Sequence, residues 1–206
     1  MRKFEKREAV AVSWDMANTD TDQIIPARFI WRARADGYGH LLFHDLRTMP
    51  DGAPRADFIL DRPQNRGAAI LVADRNFGCG SSREAAVWTL MDAGIGVVVA
   101  PSFGDIFHNN ALKNGLLPVV LPEARCADLR AALARNPGAR LVVDLEAQTL
   151  AGPVGINDGF AIDGFAIDAF RKTLLLSGQD DIGFTLGHAA DITAFEAAYA
   201  RDLPWL

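Results

Sequence analysis

The hydrophobic pattern opens with Ala9–Trp14, an apolar run broken only by Ser13. Ile70–Ala73 and Val97–Ala100 are further runs of strand length, rich in β-branched residues, and all three predict short buried strands. Each leads into a loop of Asn, Asp, Gly or Ser. Between and after them the spacing turns helical. Ser82–Ala93 is closed by Gly94, Phe103–Asn114 by Gly115, and Pro122–Asn136 by Pro137 and Gly138. Leu141–Leu145 returns as a strand. This alternation over residues 70–145 predicts an α/β fold, a partly parallel sheet flanked by helices. Further on, Asp-Gly-Phe-Ala-Ile-Asp occurs twice, starting at Asp158 and again at Asp163. It is too short for a repeat architecture and predicts a turn and strand over Asn157–Gly164, leading into a helix at Asp168–Ser177. Ile192–Arg201 predicts an amphipathic helix with Ile192, Phe195 and Tyr199 on one stripe. No composition break interrupts residues 1–206, so one domain is expected.

Composition narrows the function classes. Half of the 206 residues are hydrophobic, which excludes disordered, collagenous and coiled-coil chains. The formal charge of -5 supplies no general attraction to nucleic acid or anionic lipid, so neither is expected as a partner. An anionic ligand therefore needs a local site. The apolar runs are too short to span a bilayer, and Ala9–Val12 is too short for a signal-peptide core. Cys79 and Cys126 are the only cysteines and stand far apart, so neither a disulfide framework nor a Cys-rich metal site is expected. A reducing cytoplasm is the expected location.

The densest chemistry lies in Asn76-Phe77-Gly78-Cys79-Gly80-Ser81-Ser82-Arg83-Glu84, between a predicted strand and a predicted helix. One reading is structural: Ser81 with Glu84 three residues on forms a capping box, and the glycines make a tight turn. The other is an anion cradle. Arg83 is a cation in a first helical turn, where the macrodipole disfavours one, and it can grip a carboxylate bidentately beside free N–H groups and two hydroxyls. Cys79 suggests a thiolate at a helix N-terminus, but no His or second Cys lies near it in sequence. Asp20-Thr21-Asp22 reads as an Asx-turn, with too few further acidic ligands for a hard metal. His40, His44, His108 and His188 fall in no zinc or triad spacing, so no metal ligands are expected. Arg28–Asp36 mixes Phe29, Ile30 and Trp31 with Arg28, Arg32 and Arg34. That pattern fits a solvated loop or a segment that meets a ligand or partner.

Three stretches together resemble one family. Asn18–Phe29 (NTDTDQIIPARF), Asn76–Glu84, and Pro101–Phe107 with Asn114–Pro118 closely resemble the 3-isopropylmalate dehydratase small subunits. Order and spacing match over nearly the whole chain, including Asp144-Leu145-Glu146 and Asp168–Arg171. The resemblance implies the swivelling β/β/α domain of the aconitase superfamily. It also implies a partner large subunit, with a [4Fe-4S] cluster on that partner and no cofactor on this chain. The implied reaction dehydrates 2-isopropylmalate and rehydrates it to 3-isopropylmalate, in leucine biosynthesis. Ser81 would be the catalytic base; Ser82, Arg83, Thr21 and Asp22 would bind a small hydroxy-dicarboxylate; and the segment with Arg28, Phe29, Ile30, Trp31 and Arg32 would select its side chain. Relatives usually carry His after the Arg-Glu pair, where Ala85 stands here. That departure keeps a citraconate- or dimethylmaleate-type hydratase as an alternative substrate class. A non-catalytic swivel domain and a stand-alone thiol enzyme built on Cys79 are the readings from other classes. The specificity segment is expected to be mobile, with no core of its own to enter.

Overall fold

The computed structural model describes residues 1–154 and 163–203. In chain order it contains β1 (Arg7–Trp14), α1 (Thr21–Ile24), α2 (His44–Arg47), β2 (Ile70–Ala73), α3 (Glu84–Asp92), β3 (Val97–Ala100), α4 (Asp105–Asn114) and β4 (Leu117–Val120). There follow α5 (Glu123–Arg135), β5 (Arg140–Asp144), β6 (Thr149–Val154), β7 (Asp163–Gly164), α6 (Ala169–Ser177), α7 (Asp181–Gly187) and α8 (Ala189–Asp202). Seven strands form one sheet in the order β4-β3-β2-β1-β5-β6-β7. The half running from β4 to β1 is parallel, and β5 to β7 continue it antiparallel. The expected partly parallel sheet flanked by helices is what the chain forms.

Strand chemistry explains the parallel half. β2 and β3 are apolar at every position and buried at every position, as strands covered on both faces must be. Their side chains divide by parity. Leu71, Ala73, Val98 and Ala100 enter one core with Val12 and Trp14 of β1, while Ile70, Val72, Val97 and Val99 enter the other. The first core is closed by α3, through the small residues Ala85 and Ala86 with Val87 and Leu90, and by the long 15–69 connection. In that connection Trp14 stacks on Phe43 at 4.0 Å between ring centroids. The second core is closed by Cys126, Leu129 and Leu133 of α5.

β4 is the strand that the alternation over residues 70–145 calls for between the second and third helices; it carries Pro118 and pairs only with β3, and an edge strand tolerates a residue that cannot donate to the ladder. Several other elements depart from expectation. α3 begins at Glu84 rather than Ser82, and α4 at Asp105 rather than Phe103. β6 and α7 stand where no element is predicted, and α8 is longer than the predicted Ile192–Arg201 helix. The predicted turn and strand at Asn157–Gly164 lies outside the described residues except for β7.

Candidate functional site

Because β1, β2 and β3 are parallel, the loops after them emerge at the same end of the sheet. The loop after β2 threads between the other two. The Phe77 N–H donates to the Ser102 carbonyl at 3.1 Å, and the Gly104 N–H donates back to the Phe77 carbonyl at 2.9 Å. On its other side the Gly78 N–H donates to the Thr19 carbonyl at 2.7 Å, and the Thr21 N–H to the Cys79 carbonyl at 2.9 Å. The result is a short backbone ladder beyond the sheet, with Ser81 and Ser82 carried at its end.

The glycines are required by that ladder. Gly78 has φ +74°, and a Cβ on it would lie 2.2 Å from Cγ of the buried Phe107. Gly104 has ordinary dihedrals, but a Cβ there would lie 2.6 Å from the Gly78 carbonyl oxygen. Asn76 takes a left-handed backbone at φ 58°, and its amide donates to Oδ1 of Asn18 at 2.9 Å. Ser102 Oγ accepts from the Asn76 N–H at 2.9 Å. Asn18, Ser102 and Gly104 are positioning residues that sequence reasoning did not single out. The Gly104 that ends Pro101-Ser102-Phe103-Gly104 was the available signal.

Of the expected site residues, the structure gathers Thr21, Asp22, Ser81, Ser82 and Arg83. Thr21 is buried, and its hydroxyl donates to the Ser81 carbonyl at 2.9 Å, so it positions the serine loop from beneath. Asp22 makes an ion pair with Arg83, whose side chain is only 15% exposed. The hydrogen bond from Arg83 holds the Asp22 carboxyl below its usual range against the opposing effect of burial; the Arg83 charge and the Ala27 N–H add to the lowering. The anion implied by a cation at this position is thus, in part, the chain's own Asp22. Ser81 and Ser82 are exposed. Among the described residues the N–H groups of Ser81, Ser82 and Arg83 meet no protein acceptor, and neither serine hydroxyl has a partner.

The capping-box reading of Ser81 and Glu84 is overturned. The residue capping α3 is Arg83, without a side-chain cap, and the Glu84 carboxylate instead accepts from Asn114 Nδ2 at 2.8 Å. The capping box lies one loop away: Asp20 accepts from the Gln23 N–H at 2.7 Å, and Gln23 Oε1 accepts from the Asp20 N–H at 2.9 Å. The Asx-turn expectation therefore becomes a helix start. Ala85 is buried against the first core.

The thiol-enzyme reading finds no support in the surroundings of Cys79. Burial, and then the neighbouring Asp20 charge, push the Cys79 thiol above its ordinary range, the reverse of activation. Its Sγ lies 3.4 Å from the Asn18 carbonyl oxygen. Cys126 is fully buried on the core-facing side of α5, and its thiol is pushed up to about 11, chiefly by burial.

The 27–37 segment is only partly what its sequence suggests. Phe29 and Ile30 pack against the first core, contrary to the expectation that they have none to enter, and Trp31 alone projects at 88% exposure. Phe29 lies under the Arg28 guanidinium at 4.5 Å and beside His44 at 4.8 Å. Arg28 is bidentate on Asp45, and the Tyr38 hydroxyl donates to the Arg32 carbonyl at 2.7 Å. Arg34 pairs with Asp92.

Comparisons with known proteins identify the family. A family model described as the aconitase C-terminal domain matches residues 1–124, and one named LeuD_N matches 127–164. A third, described as the C-terminal domain of the 3-isopropylmalate dehydratase small subunit, matches 181–206. The chain is 47% identical over 206 residues to a 3-isopropylmalate dehydratase small subunit of Dinoroseobacter shibae, covering 100% of both. It is 48% identical to one of Rhodospirillum rubrum, over 100% of this chain and 97% of that one. A crystal structure of 3-isopropylmalate dehydratase from Methanocaldococcus jannaschii superposes with TM-score 0.63 at 21% identity, over 93% of this chain and 99% of that one; that likeness speaks to the fold. No helix among the described residues is long and apolar enough to cross a membrane.

Proposed function

The chain belongs to the 3-isopropylmalate dehydratase small subunits, hydro-lyase subunits of the aconitase superfamily that serve leucine biosynthesis, and we propose that it supplies one wall of an active site completed by a large subunit. The observation that carries this reading is the exposed Ser81 on a rigid backbone ladder, with unpaired N–H groups around it and Arg83 beside it. Among the described residues nothing covers Ser81, and a group that exchanges protons with a substrate needs a second surface to exclude water.

Each residue has a task in dehydration of 2-isopropylmalate and rehydration of the intermediate to 3-isopropylmalate. A proton leaves carbon in one half of the reaction and returns in the other. Ser81 Oγ takes and returns that proton, and the positive potential of unpaired N–H groups at the start of α3 lowers the cost of its anionic form. Arg83 is oriented by Asp22 through one N–H and keeps other donors for a substrate carboxylate. Ser82 adds a hydroxyl at the same edge. Thr21 fixes the Ser81 carbonyl, and so the direction of Oγ. Arg28, Phe29, Ile30, Trp31 and Arg32 form the specificity segment, with Trp31 as its projecting contact.

The iron–sulfur cluster of the superfamily does not fit this chain. Its two cysteines stand apart, Cys126 in the second core and Cys79 in the loop after β2 beside Asn18, and no three His, Cys, Asp or Glu side chains converge among the described residues, whereas a cluster takes three or four thiolates. We place the cluster on the large subunit.

The test is Ser81→Ala in the complex reconstituted with the large subunit. Turnover should be abolished while the melting temperature stays at the parent value, because the Ser81 side chain caps no helix. Turnover near the parent rate would remove the catalytic assignment.

A further inference from the structure

The stretch from Ala27 to Tyr38 is fastened to both ends of α3. At its start, the Asp22 carboxylate that pairs with Arg83, the residue just before α3, also accepts from the Ala27 N–H at 3.2 Å. At its far end, the carboxylate of Asp92, the last residue of α3, accepts from the Tyr38 N–H at 2.8 Å and pairs with Arg34. α3 has 9 residues and a length of about 13 Å, so one rigid helix sets the span between the two fastenings. The exposed Trp31 lies between them along the chain.

Asp92 is a poor choice on local grounds. The last turn of a helix is where the macrodipole disfavours a carboxylate, and α3 has no basic residue there to offset it. Long-range contacts account for it. A Cβ on Gly39 would lie 2.5 Å from the carbonyl carbon and oxygen of Asp92, so the backbone after Tyr38 rests directly on the helix end. Tyr38 is buried, and its ring meets Trp88 of α3 edge-on at 6.0 Å. The Tyr38 hydroxyl lies 2.7 Å from the Arg32 carbonyl oxygen and 3.3 Å from that of Ile30, the two residues flanking Trp31. A path of direct contacts therefore runs from Asp92 through Tyr38 to the backbone that carries Trp31.

We propose that Asp92 is a positioning residue for substrate selection: through Tyr38 it holds Trp31 at a set distance from Arg83, so that a substrate with its carboxylate on Arg83 presents its side chain to one fixed wall. The proposal rests on the reading of Arg28–Arg32 as the segment that selects that side chain. The Arg34–Asp92 pair adds little, because the Arg34 side chain is 44% exposed and its charge is screened by solvent. The bond to the Tyr38 N–H carries the anchor. A neutral acceptor in the same place should serve nearly as well, which separates Asp92→Asn from Asp92→Ala. Alanine is itself a better helix former than aspartate, so Asp92→Ala leaves α3 intact while it removes the fastening.

The experiment compares the parent chain with Asp92→Ala, Asp92→Asn and Trp31→Ala, each in complex with the large subunit, on 2-isopropylmalate and 2-methylmalate. Asp92→Ala should narrow the ratio of the two kcat/KM values by about 10-fold, mainly through a higher KM for 2-isopropylmalate, with kcat within about 3-fold of the parent. Trp31→Ala should narrow the ratio in the same direction, and Asp92→Asn should keep it within about 3-fold of the parent. In the free chain, amides of residues 28–38 should exchange about 10-fold faster in Asp92→Ala, while the rest of the chain exchanges as in the parent. A parental ratio in Asp92→Ala beside a narrowed one in Trp31→Ala would overturn this proposal and leave the segment reading standing. So would a fall in kcat equal for both substrates, which is what a merely structural role produces. If Trp31→Ala itself leaves the ratio unchanged, the segment reading falls and the proposal with it.

Discussion

Gly104→Ala isolates how much the serine loop depends on its backbone ladder. Gly104 has φ -63° and ψ 133°, which alanine adopts without strain, so the substitution adds only a methyl group. That methyl carbon would lie 2.6 Å from the Gly78 carbonyl oxygen and 3.0 Å from Cys79 Cα, where ordinary contact begins at 3.4 Å. Both neighbours are backbone and cannot rotate away. Relief requires the Gly78–Cys79 peptide to move by roughly 0.8 Å, and it is tied to Thr19 and Thr21 by the same ladder that aims Ser81. A shift approaching ~1 Å at a reacting group costs about 100-fold, so kcat/KM should fall by about 30- to 100-fold. Overpacking of this kind costs about 1–3 kcal/mol, or a melting temperature lower by roughly 2–10 °C for a chain of this size. The assay pairs thermal unfolding of the free chain with isomerase kinetics at saturating large subunit. Gly52→Ala is the control: at φ +86° with nothing within 4 Å, it carries only a left-handed backbone cost of about 1 kcal/mol and no effect on turnover. If Gly104→Ala retains activity within about 3-fold of the parent, or if both variants lose activity equally, the ladder does not aim Ser81.

Arg83→Lys should lower kcat/KM by about 30- to 1,000-fold, since a point charge reproduces neither the Asp22 contact nor a carboxylate fork; steady-state kinetics of the complex check this, and a loss below about 5-fold would count against the cradle. A thiol reagent at pH 8 should label Cys79 alone in the folded chain and Cys126 only after unfolding, because burial raises the Cys126 thiol to about 11; peptide mapping distinguishes the two. Asp45 is lowered from an ordinary 3.8 to about 2, first by its hydrogen bond to Arg28, so the tether of the specificity segment is complete above about pH 4 and lost between there and about pH 2. An NMR titration of Asp45 should show the low inflection, and Arg28→Ala should return it towards 3.8.

The apolar runs at Ile70–Ala73 and Val97–Ala100 allow one outcome, because a segment apolar at every position must be covered on both faces, and the helical periods between them supply the cover. The local sequence also carries the Ser81–Arg83 chemistry and the glycines beside it, since backbone requirements at Gly78 and Gly80 are written in residue type. Tertiary contacts decided the rest. Ser81 and Glu84 satisfy a capping pattern, yet the ladder to Thr19 and Ser102 holds residues 77–79 outside any helix, and α3 starts only at Glu84. Pro118 is tolerated in β4 because that strand stands at the edge of the sheet, where its missing donor costs nothing, and only the sheet order shows which strand is the edge. Phe29 and Ile30 find a core only because Tyr38 and Asp45 fold the segment back, through bonds that span as many as 17 positions. The meeting of Asp22 with Arg83, 61 positions apart, follows from parallel β1 and β2 delivering their loops to one end of the sheet, a long-range consequence that no local pattern encodes.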